Sequence, residues 1–184
     1  MATKRPNTAL LVIDVQNDVV ARAHDRATVL DNINTLVREA RADQMPVIWV
    51  QHADEDLVEG TDGWEIVSEL DLRGDEPVVH KTFRDSFEAT PLEELLTEAD
   101  VGHLIITGSQ TDFCVRWTLH GAHSRGYDTT LVADAHTTDD PGSDELPTAA
   151  QTIALTNEQW GSQVAPDRTA RVLSTADVLF SLDG

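Results

Sequence analysis

The sequence predicts a three-layer, Rossmann-like α/β fold, with about six strands in a mostly parallel sheet and helices on both faces. Two observations carry this expectation. Short apolar runs without polar alternation recur along the chain, the pattern of strands buried on both faces. Between them fall segments whose apolar residues are spaced by three and four, the period of a helix. Alternation of the two from end to end implies parallel strands joined by right-handed crossovers, which place helices on both sides of the sheet. A chain of 184 residues is about one domain's worth. No linker, repeat or low-complexity segment divides it, so residues 1–184 are expected to form a single domain.

The strand candidates are ALLVI (9–13), PVIWV (46–50), PVV (77–79), HLIIT (103–107), TTLVA (129–133) and DVLF (177–180). Leu30, Ile33, Leu36 or Val37, and Ala40 mark a helix between the first two. Thr90-Pro91-Leu92-Glu93 reads as a helix start, with Thr90 as N-cap, Pro91 at the first helical position and Glu93 closing a capping box. Val115, Leu119 and Ala122 mark another helix, and Gly126 suits its C-terminal stop. Folds of this kind bind ligands beyond the carboxyl ends of their strands.

Composition narrows the function. With 33 acidic against 13 basic residues the net charge is −20, which argues against nucleic acid or an anionic membrane as partner, since both need clustered Lys and Arg. The longest apolar runs fall far short of the roughly 20 residues that span a bilayer, and MATKRPNT lacks an apolar signal region, so a cytoplasmic location is expected. Cys114, the single cysteine, cannot form an intramolecular disulfide, which fits a reducing compartment. Lysine occurs only at Lys4 and Lys81, against eleven arginines, and 21 Asp outnumber 12 Glu. That composition resembles proteins of salt-accumulating organisms, although high-GC codon usage also suppresses lysine.

Polar residues interrupt the apolar pattern at three strand ends: ALLVI runs into Asp14, PVVH into Lys81, and LIITGSQTDF into Cys114. These three should converge. Asp14 fits a turn or cap residue as well as a functional carboxylate, although five apolar residues precede it and an unpaired carboxylate there is costly to desolvate. Lys81 fits a loop cation, yet a chain that uses arginine elsewhere has kept a compact ammonium of adjustable pKa here. Cys114 fits a small buried hydrophobe. It also stands just after a glycine-containing turn that opens a helix, where the N-terminal partial charge would favour a thiolate and nearby N–H groups could receive an oxyanion.

Three histidines, His52, His80 and His136, sit at strand ends and raise the possibility of a Cys-His pair. His80 and Lys81 are adjacent on a strand, so their side chains point to opposite faces. His52 is a candidate for lining a pocket, packing or hydrogen bonding. No Asp-x-His with a nearby second His follows it, so neither a metal site nor a cofactor is expected. Trp64, in a loop, is a candidate pocket wall, and His136 is a candidate for ordering its own loop or lining the pocket.

Taken together, TALLVIDVQND, VVHKTFRDSF and LIITGSQTDFCVRWTLHGAHSRGYDTTLVADAHTT resemble the isochorismatase-like cysteine hydrolases, a superfamily that includes nicotinamidases, N-carbamoylsarcosine amidases, ureidoacrylate hydrolases and isochorismatases. The resemblance implies a catalytic triad of Asp14, Lys81 and Cys114. It also implies an oxyanion hole from the backbone N–H groups of Gln110 and Cys114, and a cis peptide at Ser109–Gln110. Small amide, carbamoyl or ureido compounds are the implied substrates, and a homo-oligomer, dimer or tetramer, is the implied assembly.

Two departures bear on the substrate. Nicotinamidases carry an Asp-x-His metal motif where this chain has His52-Ala53-Asp54, and they favour an aromatic residue where Val19, a further candidate for lining the pocket, stands. True isochorismatases need no cysteine nucleophile, so Cys114 argues against vinyl-ether cleavage. The alternatives are a nicotinamidase without the metal site, and a non-catalytic protein that binds a ligand in the same pocket.

Overall fold

The computed structural model describes residues 5–182. The strands are β1 (Asn7–Ile13), β2 (Val47–His52), β3 (Val78–Lys81), β4 (Val101–Ser109), β5 (Asp128–Thr137), β6 (Val164–Ala165) and β7 (Arg168–Leu173). The helices are α1 (Arg26–Ala42), α2 (Leu92–Glu98), α3 (Arg116–Ser124), α4 (Ala149–Gly161) and α5 (Thr175–Leu182). One sheet runs in the order β3-β2-β1-β4-β5-β7-β6, all neighbours parallel except the β6–β7 hairpin at the edge.

Burial on both faces explains the continuous apolar strands. In β1, Leu10 and Val12 enter one core with Leu30, Ile33, Val37 and Ala40 of α1, joined by Val178 of α5. The alternate residues Ala9, Leu11 and Ile13 enter the opposite core with Leu92 and Leu96 of α2, Leu119 and Ala122 of α3, and Trp160 of α4. Each such Leu, Ile or Val contributes about 1.5–3 kcal/mol by leaving water, so a strand with two buried faces holds the sheet centre from both sides. Helix α3 ends as expected: Gly126 takes φ 97°, its N–H bonds His123 O, and the Tyr127 N–H bonds Ala122 O. This is the paired hydrogen bonding of a Schellman stop.

The last strand and one helix start differ from expectation. Residues 177–180 lie in α5, and the sheet's sixth parallel strand is β7, RTARVL. Its residues alternate between more and less exposed because it lies near the edge of the sheet, where the two-sided apolar signal fails. The β6 segment adds a short antiparallel seventh strand. At α2 the helix begins at Leu92 with Pro91 in the N-cap position. Thr90 Oγ1 donates to Ser86 O at 2.6 Å and only loosely accepts from the Leu92 N–H at 3.3 Å. Glu93 closes no capping box, because it accepts from the Tyr127 hydroxyl at 3.0 Å. Among the described residues, no helix is long and apolar enough to cross a membrane.

The strand order places the site. From β1 the chain proceeds outward through β2 and β3, then returns to lay β4 on the other side of β1. The carboxyl ends of β1 and β4 therefore flank the crevice where the winding reverses, the place where open α/β sheets bind ligands.

Candidate active site

Asp14 follows β1 directly. It takes φ 49°, a left-handed conformation that aspartate tolerates better than most residues. Its N–H still donates to Val50 O at 2.9 Å. Close approach of β4 is required here, because any side chain at Gly108 (φ 111°) would collide with the Ile13 backbone. Asp14 is buried, and its Oδ2 accepts from Lys81 Nζ at 2.6 Å.

Lys81 reaches this carboxylate from β3, two strands away. At about 4.8 Å per strand the gap is about 10 Å, and the lysine stem and the Asp14 side chain close it together over the end of β2. The resulting ion pair has side-chain exposures of 0% and 2%. On the same strand His80 faces the other way and stacks on Trp64, with ring centroids 5.5 Å apart.

Where the lysine passes over β2, Nζ meets His52 Nδ1 at 3.3 Å. His52 Nε2 in turn faces Asp54 Oδ2 at 3.2 Å. Asp54 Oδ1 is fixed by the N–H groups of Asp56 and Leu57, at 2.9 and 2.8 Å. Gln16 holds the His52 backbone on both sides, donating to its carbonyl and accepting from its N–H, each at 2.9 Å.

Cys114 sits in a π-helical turn, Thr111–Val115, that leads into α3 and departs from helical geometry at Phe113 (φ −116°, ψ −107°). The Ser109–Gln110 peptide just before it is cis. The turn is tied down from behind. Asn157 Oδ1 faces His136 Nε2 at 2.9 Å, and Asn157 Nδ2 donates to Ala133 O, so Nε2 carries the proton. His136 Nδ1 then accepts from the Thr111 hydroxyl at 2.8 Å. The Thr138 hydroxyl donates to Asp112 Oδ1 at 2.7 Å.

The electrostatics differ from those expected of a free helix N-terminus. Burial, reinforced by the negative charge of Asp14, pushes the Cys114 thiol up to about 12, and Lys81 opposes this. The resting cysteine is therefore a neutral thiol rather than a thiolate. Burial also pushes the Asp14 carboxyl above its ordinary value, against the pull of Lys81, which makes it a stronger base. The thiol and the Asp14 carboxylate interact, but the contact is too loose to satisfy Asp14 Oδ1 with a hydrogen bond of ordinary geometry. Loose contacts of this kind are common in catalytic sites without substrate.

Asp14, Gln110 and Cys114 form part of the wall of a cleft of about 340 Å³, with Val19, His52, Leu57 and Phe113 also lining it and Asp18, Asp54, Asp56 and Arg84 supplying charge. Of the four expected pocket residues, Val19 and His52 line this cleft and Trp64 and His136 do not. Trp64 is buried with its carbonyl accepting from Gln16 and Gln51, because its loop packs back onto the end of β2. His136 is buried behind the cysteine turn.

Sequence patterns missed Asp18, Asp54, Asp56, Leu57 and Arg84, which lie in connecting segments rather than at interrupted apolar runs, and Phe113, inside the cysteine turn. Gln16 carried a usable signal as a polar residue two positions past Asp14. Among the described residues, no group of three or more His, Cys, Asp or Glu side chains is placed to hold a metal ion.

An isochorismatase domain is matched over residues 8–176. The chain belongs to the isochorismatase family. A streptothricin hydrolase of Streptomyces noursei is 38% identical over 164 residues, covering 83% of this chain and 65% of that protein. The chain thus spans just under two thirds of that relative's length. An Arabidopsis thaliana protein named as a probable inactive nicotinamidase is 32% identical, covering 73% of this chain and 83% of its own. A ureidoacrylate amidohydrolase of Klebsiella pneumoniae is 29% identical, with coverages of 85% and 84%. Among solved structures, an isochorismatase family protein superposes with a TM-score of 0.81 at 33% identity, covering 92% of this chain and 99% of that one.

Proposed function

We propose that this isochorismatase-family protein is a cysteine-dependent hydrolase of a small amide, carbamoyl or ureido C–N bond. The observation that carries the reading is the fully buried Asp14–Lys81 pair set beside the Cys114 thiol at the floor of an open cleft. Burying two charges costs several kcal/mol per ion before their attraction is counted. Apolar residues would fill the space over the end of β2 without that cost, whereas a carboxylate base with a supporting cation beside a thiol is able to take and return its proton.

In the proposed cycle a substrate carbonyl enters the cleft and Asp14 takes the Sγ proton. Lys81 stabilises the sulfur as its negative charge develops, and sulfur bonds to the carbonyl carbon. The oxyanion is received by the N–H groups of Gln110 and Cys114. The C–N bond then breaks as Asp14 returns the proton to the departing ammonia or amine, leaving a thioester on Cys114. Water adds to the thioester with Asp14 taking its proton, the C–S bond breaks, and the thiol is restored. A high thiol pKa and a raised carboxyl pKa suit this cycle, because proton transfer occurs during attack and no standing thiolate is exposed.

The relative named as a probable inactive nicotinamidase favours a second reading, in which the cleft binds a ligand without turnover. The two readings separate in one experiment. Ammonia or amine release is followed on a panel of primary amides, carbamoyl and ureido compounds, with hydroxylamine added to capture acyl groups from a thioester. Hydrolysis that is abolished by Cys114→Ala, together with hydroxamate formation, supports the hydrolase. Retained ligand affinity in Cys114→Ala with no turnover by wild type supports the binding protein.

A further inference from the structure

We propose that His52, oriented by Asp54, is a positioning residue that fixes the Lys81 ammonium between Asp14 and the Cys114 sulfur. The proposal rests on the hydrolase reading above for its purpose, but its evidence is geometric. An ammonium has three N–H donors on a flexible stem, and here the stem reaches out over β2 to meet its charged anchor, Asp14, at its tip. A single contact at 2.6 Å fixes a distance and leaves the ammonium free to rotate about it. The second contact, to His52 Nδ1 at 3.3 Å, removes that freedom and holds the positive charge where it lowers the Cys114 thiol.

The imidazole can accept only as the neutral form with its proton on Nε2, since an imidazolium would set two cations in contact. Asp54 at Nε2 selects that form, just as outer carboxylates orient histidines that ligate metals. Asp54 is itself held by two backbone N–H groups, and Gln16 clamps the His52 backbone. The support thus runs from a rigid turn to the nucleophile. The charged and titratable groups around His52 are Lys81 and Asp14 on its Nδ1 side, Asp54 at Nε2, and Asp18, Asp56, Arg84 and Cys114 across the cleft.

The test uses Cys114 alkylation by iodoacetamide at pH 8.5, followed by mass, which requires no knowledge of the substrate. His52→Leu removes the acceptor, so the ammonium drifts, the thiol titrates higher, and alkylation slows by about tenfold, the effect of one pKa unit on the thiolate fraction. His52→Asn restores an oxygen acceptor at the δ position and stays within about twofold of wild type. Should His52→Leu fail to fold, Asp54→Asn gives the same information. Its amide presents N–H to Nε2, favours the tautomer protonated at Nδ1, and slows alkylation several-fold.

Equal rates in wild type, His52→Leu and Asp54→Asn overturn the proposal, as does an Asn variant as slow as the Leu variant. The two readings also fail separately. Cysteine-dependent amide hydrolysis with unmoved alkylation removes the positioning role alone. The expected alkylation pattern without turnover of any amide removes the hydrolase alone.

Discussion

Asp14 and Cys114 affect each other in a way that separates a catalytic from a structural role. The Asp14 charge raises the Cys114 thiol and Lys81 lowers it. In Asp14→Asn the negative charge is gone while the ammonium stays beside the sulfur, so the thiol titrates lower and alkylation at pH 8.5 becomes faster than in wild type. Turnover of a cleaved amide falls by about 10²-fold or more in the same variant, because no base takes the thiol proton and no acid protonates the leaving nitrogen. Faster alkylation with slower catalysis is the expected pair of results, measured on one preparation. A decline in both would instead indicate that Asp14 only maintains the local structure. The sequence displayed the three central residues because each breaks an apolar run. The thiol's resting state was not legible there, because burial and the Asp14 charge outweigh the helix terminus and neither is a property of the local sequence.

Elements differed in legibility for the same reason. Strands β1, β2 and β4 are covered on both faces and announce themselves as continuous apolar runs, whereas β7 near the edge carries two arginines and reads as polar. The apolar DVLF segment reads as a strand in sequence, but a segment of that length has no period that separates strand from buried helix. The helix signals at Gly126 and along α1 agree with the structure because they rest on backbone freedom and a repeated spacing. At Thr90 a tertiary partner for Glu93, the hydroxyl of Tyr127, won over the local cap.

His136 shows how one element secures another. It joins the cysteine turn to β5 and α4 through Thr111 and Asn157, and burial holds its pKa below the ordinary imidazole value of 6.5. A group with a depressed folded pKa contributes stability that is present above the unfolded value and lost as pH falls through the folded one. The melting temperature should therefore decline on acidification below about pH 6.5. His120 and His123, also shifted downward by burial, add in the same direction. Replacing His136 with Gln lowers the melting temperature at pH 7.5 and flattens part of the decline; a slope identical to wild type would mean that His136 does not carry it.

At the scale of the whole molecule the excess of acidic groups dominates. Arginines are drawn into ion pairs such as Arg26–Glu69, Arg41–Glu76 and Arg125–Asp85, yet a net charge of −20 leaves many carboxylates without a cation. Their repulsion weakens as the Debye length shrinks from about 10 Å at 0.1 M salt to about 3 Å at 1 M. The cleft shares this field, since among the described residues its lining sets Asp18, Asp54 and Asp56 against Arg84, which lies over the Phe113 ring at 4.5 Å to its centroid. Salt should therefore raise stability while it erases the charge preference of substrate capture. The melting temperature rises with KCl, most steeply at low concentration where screening changes fastest. Over the same range kcat/KM for a cationic amide falls and that for its anionic counterpart rises, so that the two converge near molar salt. A flat melting temperature between low and molar KCl would remove self-repulsion as a determinant of stability. Equal kcat/KM for the two amides at low salt would mean that the carboxylates at the cleft are too well screened by solvent to select among substrates.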